Sequence, residues 1–160
     1  MDITSEINWV LKPFERLTPK ELYQVLLLRS KVFVVEQQCI YLDMDNKDQK
    51  AFHIMGWYNN LLVAYSRLFA PGDYYREASL GRIISAPEVR GQGIGKLLMS
   101  KSLVLAHRMY GDVPIRIAAQ SYLKEFYYFF GFRTDGDQFM LDGIPHVEMV
   151  LTTSYSATVK

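Results

Sequence analysis

Residues 80–99 read LGRIISAPEVRGQGIGKLLM, and three glycines at alternate positions, Gly91, Gly93 and Gly95, stand between an apolar run and a helical pattern. The apolar run, 80–85, ends in Ala86, Pro87 and Glu88, so the stretch predicts a strand, a glycine-rich turn and a helix start. Residues without a Cβ let the main chain turn tightly and aim consecutive N–H groups into one small volume. A helix that begins there adds its unpaired first-turn N–H groups and the positive end of its dipole. Such a turn suits a pyrophosphate without many basic side chains. The spacing matches neither of two common phosphate loops. Lys96 is followed by Leu97 and only three residues separate Gly91 from Gly95, which breaks the mononucleotide P-loop pattern. The third glycine also comes one residue early for a dinucleotide fingerprint. A turn whose glycines serve only sterics is the plain alternative.

A chain of 160 residues with 49% apolar and 14% aromatic residues fits one domain with a sizeable core. We expect that domain over residues 1–151 and a polar tail over 152–160, frayed or lying on the surface. A net charge of +1 gives no general attraction to nucleic acid or to anionic membrane, so an anionic ligand must be held locally. The single Cys39 forms no internal disulfide, and no leader or long uncharged apolar run is evident. The expectation is a soluble protein of the cytoplasm.

Along the chain, residues 7–11 suggest a first strand. Thr18, Pro19 and Glu21 form an N-cap, a first-turn proline and a capping-box partner, predicting a helix to about Val32 with Leu22, Val25 and Leu26 facing the core. Asp43, Asp45 and Asp48 follow with only Lys47 opposing them. They read as a solvated acidic loop or as an attractor for a cationic acceptor; calcium fits poorly, because the glycine and closing glutamate of a calcium loop are missing. Residues 53–58 and 61–70 predict two strands joined at Asn59 and Asn60, which suit positive φ. A helix over 93–110 should bury Ile94, Leu98, Leu105 and Met109 and stop at Gly111. A strand at 113–119, a short aromatic helix at 122–130, a segment at 132–134 and a last strand at 145–151 complete the order β, α, β, β, β, α, β, α, β, β. This is an α/β chain with hairpin and crossover connections.

Three matches in order carry a resemblance. The run from Arg90 through Gln92 to Gly95 resembles the Q/RxxGxG/A pyrophosphate loop of the GNAT superfamily of N-acetyltransferases, the strand before it fits, and Phe126, Tyr127, Gly131 and Phe132 match that family's FYxxxGF motif. Within the superfamily, VFVVEQQCIYLDMD, GRIIS and GIPHVEM look closely like the ElaA family. The resemblance spans about residues 18–151. It implies a single-domain, mostly antiparallel mixed sheet flanked by helices and splayed at a cofactor cleft. It further implies that Ile83, Ile84 and Ser85 present main-chain groups to the pantetheine arm of acetyl-CoA, and that Gly91, Gln92, Gly93, Ile94, Gly95 and Lys96 enclose the pyrophosphate beside Arg90. Gln120 stands where relatives carry an asparagine that contacts CoA.

Acyl transfer from a thioester to an amine needs a neutral amine, a polarised carbonyl and a proton for the leaving thiolate. An alkylammonium of pKa about 10.4 is nearly all charged at neutral pH, so a base or a desolvating site should help. Main-chain N–H groups near Ile84 would polarise the carbonyl. A tyrosine hydroxyl can supply the thiolate's proton, and among eleven tyrosines the motif register selects Tyr127. Glu36, Glu77, His53 and His146 are candidate bases, with none assigned. Arg82 would pair with the acidic segment or meet an acidic acceptor, and Cys39 reads as a buried thiol before a covalent nucleophile. The three histidines and one cysteine lack metal-ligand spacing, so no metal is expected. The reading is acetyl transfer from acetyl-CoA, in a ternary complex, to a primary amine on a small molecule, peptide or protein lysine, by a monomer or homodimer that binds neither nucleic acid nor membrane. An acyl-CoA-binding module without catalysis, or a nucleotide-binding regulator, are the readings from other classes.

Overall fold

In the computed structural model, which describes residues 2–152, the chain enters through β1 (Asn8–Pro13) and turns into α1 (Pro19–Arg29). The helix begins where its residue types require. Thr18 Oγ1 accepts the Glu21 N–H at 3.1 Å, and the Thr18 N–H donates to Glu21 Oε1 at 2.9 Å. This reciprocal cap satisfies two donors that the first turn would otherwise leave unpaired.

The expected α-helix to Val32 ends earlier, at Arg29, and continues as a π-helical stretch, Ser30–Glu36. There Gln37 N–H reaches Val32 O at 3.2 Å and Cys39 N–H reaches Val34 O at 3.1 Å, both five residues back. The buried face carries Val25, Leu28, Arg29 and Val32, while Leu22 and Leu26 are only half-buried. Arg29 stands four residues after Val25 on that face, so ordinary helical spacing brings a charged residue into the interior.

β2 (Phe52–Tyr58) and β3 (Leu61–Phe69) form the expected hairpin, with Asn59 at φ 48° and Asn60 at φ 64°. Two consecutive positive φ values match the right-handed twist of the paired strands. β4 (Ala78–Ser85), α2 (Ile94–Tyr110), β5 (Ile115–Gln120), α3 (Lys124–Tyr128), β6 (Arg133–Thr134), β7 (Phe139–Leu141) and β8 (Ile144–Leu151) follow. The sheet order is β1-β2-β3-β4-β5-β8-β6, with β7 also on β8. Every pairing is antiparallel except β4 with β5, which the α2 crossover makes parallel.

β3 is buried along almost its whole length, because α1 packs on it from one side and α2 from the other. The buried face of α2 differs from the expected stripe. It carries Ile94, Leu98, Met99, Ser102, Leu103 and Ala106, whereas Leu105 is half-buried and Met109 is 39% exposed. Its centre is polar: Ser102 Oγ shares a 2.8 Å hydrogen bond with Ser66 Oγ of β3. A satisfied serine pair packs like small apolar residues, and a count of apolar positions misses it.

β7 is an addition to the expected elements. Asp142 (φ 52°) and Gly143 (φ 77°) turn it into β8, the Asp-Gly hairpin signal of the same kind as Asn59 and Asn60. The expected polar tail lies outside the described residues, apart from Thr152. Among the described residues no helix is long and apolar enough to cross a membrane.

Candidate active site

Two features of β4 open the sheet. β4 and β5 pair only at Ala78 with Ile115 and Ser79 with Arg116, after which the strands part. On the other edge, Tyr65 pairs with Ile84 and Arg67 with Gly81, so Arg82 and Ile83 together face the single Ser66. This is a β-bulge, and Arg82 takes φ 49° within it. The result is a cavity of about 570 Å³, walled by β4, β5, the π-helical stretch and the β7–β8 hairpin.

Ile83, Ile84, Ser85, Arg90, Gln120 and Tyr127 all line this cavity. Gly91, Gln92, Gly93, Ile94, Gly95 and Lys96 do not line it but continue directly from Arg90 into α2. Gly91 (φ 82°) and Gly93 (φ 80°) adopt left-handed conformations, and a Cβ built on either would meet nothing within 4 Å. Backbone conformation therefore favours glycine there, and the space over the turn is open. No side chain caps α2, whose first bond from the preceding turn runs from Leu97 N–H to Gly93 O at 3.1 Å. The N–H groups of Ile94, Gly95 and Lys96 precede that bond and have no partner within the helix.

Several side chains are engaged with each other. Arg90 donates two hydrogen bonds to Glu36, at 2.7 and 2.8 Å, at the cavity edge. Lys96 Nζ lies 4.4 Å from the centre of the Phe129 ring, a cation–π contact. Gln120 and Gln37 exchange side-chain amide hydrogen bonds at 3.2 and 3.3 Å. Tyr127 is almost fully buried, its ring edge-on to Phe126 and Phe132. Burial pushes its hydroxyl above the usual tyrosine range, so it stays protonated at neutral pH.

The acidic segment is neither a solvated loop nor a bare cation trap. Asp43 and Asp48 are each 6% exposed. Asp43 accepts from Arg29 Nε at 2.8 Å and from Arg82 Nε at 2.8 Å. Asp48 accepts from Arg29 and Arg67 at 2.7 and 2.8 Å, and Asp45 accepts two bonds from Arg67 at 2.8 Å. Burial by itself would raise Asp45, but the hydrogen bonds and charge of Arg67 outweigh it and hold the carboxyl at about 2. Guanidinium groups from α1, β3 and β4 converge on a segment that carries no matching positive charge of its own. Sequence order hides that convergence.

The four candidate bases separate cleanly. His53 is fully buried away from the cavity, with Nε2 2.9 Å from Asp48 O and Nδ1 2.7 Å from the Tyr65 hydroxyl. A carbonyl only accepts, so Nε2 carries the proton, Nδ1 accepts from Tyr65, and both nitrogens are used. Glu77 is held by Arg116 at 3.1 and 2.9 Å and does not reach the cavity. Glu36 is held by Arg90. His146, on β8 opposite Gln120, lines the cavity. Cys39, also in the wall, is buried and donates from Sγ to Asp142 O at 3.3 Å.

A family model described as an acetyltransferase (GNAT) domain matches residues 17–153. The chain belongs to the GNAT acetyltransferase family. GNAT relatives resemble it over nearly their full lengths. Protein ElaA of Escherichia coli is 39% identical over 145 residues, covering 89% of this chain and 95% of that protein. The crystal structure of E. coli ElaA superposes with a TM-score of 0.85 at 38% identity, covering 90% of this chain and 98% of that one. An acyl-CoA N-acyltransferase from Pseudomonas aeruginosa superposes with a TM-score of 0.87, also at 38% identity and with the same coverage. The single-domain GNAT fold and the ElaA resemblance read from the sequence both hold. Sequence reasoning missed the bulge at Arg82, the Gln37 partner of Gln120 and the β7–β8 wall. Of these, only the wall had a local signal, Asp142-Gly143.

Proposed function

We propose that this protein transfers an acetyl group from acetyl-CoA to a primary amine, by direct attack within a ternary complex. The carrying observation is the parting of β4 from β5 after two residue pairs, which leaves main chain at Ile83, Ile84 and Ser85 facing a cavity that Tyr127 also lines. Unpaired strand edge suits the amide-bearing pantetheine arm, and the open left-handed turn at Gly91 and Gly93 ahead of α2 suits the pyrophosphate. Likeness to the P. aeruginosa acyl-CoA N-acyltransferase supports the donor class.

In this reading, main-chain N–H groups of the bulged strand polarise the thioester carbonyl. Tyr127, kept protonated by burial, donates its hydroxyl proton to the sulfur as the C–S bond breaks. Arg90 holds the cavity edge through Glu36 and turns toward phosphate only by giving up that pair. The protein acts in the cytoplasm, a reading that rests on its single, unpaired cysteine.

Free CoA released from acetyl-CoA is measured against spermidine, phenethylamine, an α-amino peptide and a lysine peptide, beside calorimetric titration with CoA. Turnover with any amine supports transfer. CoA binding with no turnover favours a binding module without catalysis, and no binding ends the acyl-CoA reading.

A further inference from the structure

Of the four candidate bases, three are spent on contacts of their own; the fourth has one ring nitrogen tied and the other without a protein partner among the described residues. His146 Nδ1 lies 2.7 Å from Ile144 O, two residues back along β8. A main-chain carbonyl accepts and never donates, so Nδ1 carries the proton and neutral imidazole presents its lone pair at Nε2. Among the described residues no hydrogen bond to Nε2 is found, and that atom is not sealed in the interior. The ring is held against Phe139, stacked at 5.9 Å between centres and 28° between planes. It is 8% exposed, and the space it faces is the cavity that Tyr127 lines. Tautomer, orientation and access are thus set by the main chain of β8 and an aromatic of β7, with no carboxylate needed.

We propose that His146 is the general base that takes the proton from the acceptor amine. The proposal rests on the amine-transfer reading above. The Nε2 lone pair removes one proton from the alkylammonium and later passes it to water. The freed nitrogen lone pair forms the C–N bond to the thioester carbonyl carbon. The C–S bond breaks, the sulfur takes the Tyr127 proton, and the second proton on nitrogen returns to the Tyr127 oxygen. Without a base, an alkylamine of pKa about 10.4 offers on the order of one neutral molecule in 10³ at pH 7.

The remaining titratable groups at the cavity do not compete on equal terms. Glu36 and Arg90 pair with each other, and Arg67 and Arg82 are held by the three aspartates. Burial pushes Tyr41 and Tyr75 up to about 12. Cys39 is bonded to Asp142 O. Tyr74 and Tyr122 also line the wall, and the Asp142 carboxylate, at the β7–β8 turn, is the rival to be tested.

His146→Asn tests the role, because its amide nitrogen can still donate to Ile144 O while the Nε2 lone pair is gone. With the best amine of the panel, the expected result is a fall in kcat/KM of roughly 10²–10⁴-fold at pH 7. The deficit should shrink as pH rises toward the amine's own pKa, the acid limb of the pH–rate profile should vanish, and CoA affinity should stay within about threefold. His146→Ala should recover part of its rate with added imidazole. A His146→Asn enzyme with the wild-type rate and acid limb overturns the proposal, as does loss of that limb in Asp142→Asn instead. If the wild type binds CoA and turns over no amine, the transfer reading falls and takes the proposal with it. Nitrogen NMR of the wild-type ring is a check that needs no variant: a proton on Nε2 in place of Nδ1 at neutral pH also overturns it.

Discussion

Arg82 stands in a left-handed conformation inside β4, and Asp43 holds it there: Nε donates to Asp43 Oδ1 at 2.8 Å and Nη2 to the Asp43 main-chain oxygen at 2.7 Å. A residue with a Cβ in that conformation costs about 1–2 kcal/mol, so something must hold the bulge in place. The same aspartate also binds the fully buried Arg29 of α1. Asp43 therefore ties the first helix to the strand irregularity that opens the cavity.

Asp43→Ala should be among the most damaging single changes outside the apolar core. It strips a carboxylate from Arg29, which has no exposed surface, and from Arg82. Breaking a buried pair from one side costs about 3–5 kcal/mol, which for a chain of this size is a fall in Tm on the order of 10 °C. Urea unfolding checks it; a loss under about 1 kcal/mol would mean that Asp48 and water replace the missing partner.

Acid should unfold the protein in two stages. Burial holds His53 below the ordinary histidine value, so the unfolded chain takes up a proton first and stability falls as pH drops below about 6.5. Asp45 is held at about 2, so its contribution is whole above about pH 4 and is lost as pH falls toward 2, for at most about 2 kcal/mol. Unfolding free energies from pH 8 to 2 should show both steps. His53→Gln should flatten the first and leave the second.

Tyr127→Phe should separate catalysis from stability. Among the described residues no hydrogen bond from the Tyr127 hydroxyl is found, while its ring packs on Phe126 and Phe132. The variant should keep the ring contacts, melt within a few degrees of wild type, bind CoA normally and lose roughly 10²-fold in kcat. Equal CoA release by both proteins would remove Tyr127 as the acid.

The two glycines that flank the start of α2 should answer differently to alanine. Gly93 sits at φ 80°, so Gly93→Ala should cost about 1 kcal/mol from backbone strain alone and weaken CoA binding as the turn shifts. Gly95 lies inside the helix, and its added Cβ would rest 3.9 Å from the Phe126 ring, an ordinary contact. Gly95→Ala should hold or gain up to about 1 kcal/mol from helix propensity and leave CoA binding near wild type. Thermal unfolding with and without CoA measures both.

The features legible in the sequence are those whose cause lies within a few residues. The Thr18–Glu21 cap, the Asn59-Asn60 hairpin, the left-handed glycines before α2 and the stop at Gly111 each follow from one residue's φ preference or one short side chain reaching a nearby N–H. The motif around Tyr127 was legible in the same way, as a register along one chain segment. What only the tertiary structure decided depends on which distant groups meet at about 3 Å. Asp43, Asp45 and Asp48 became a buried ion-pair cluster because arginines from three other elements converge on them. The face of α2 turned to Ser102 because Ser66 waits across the interface. His53 and His146 are the same residue type in the same chain, yet one is buried with both ring nitrogens engaged and the other lines a cavity with one engaged. Desolvation and partnering set the chemistry of a charged or polar group, and neither is a property of its position in the chain.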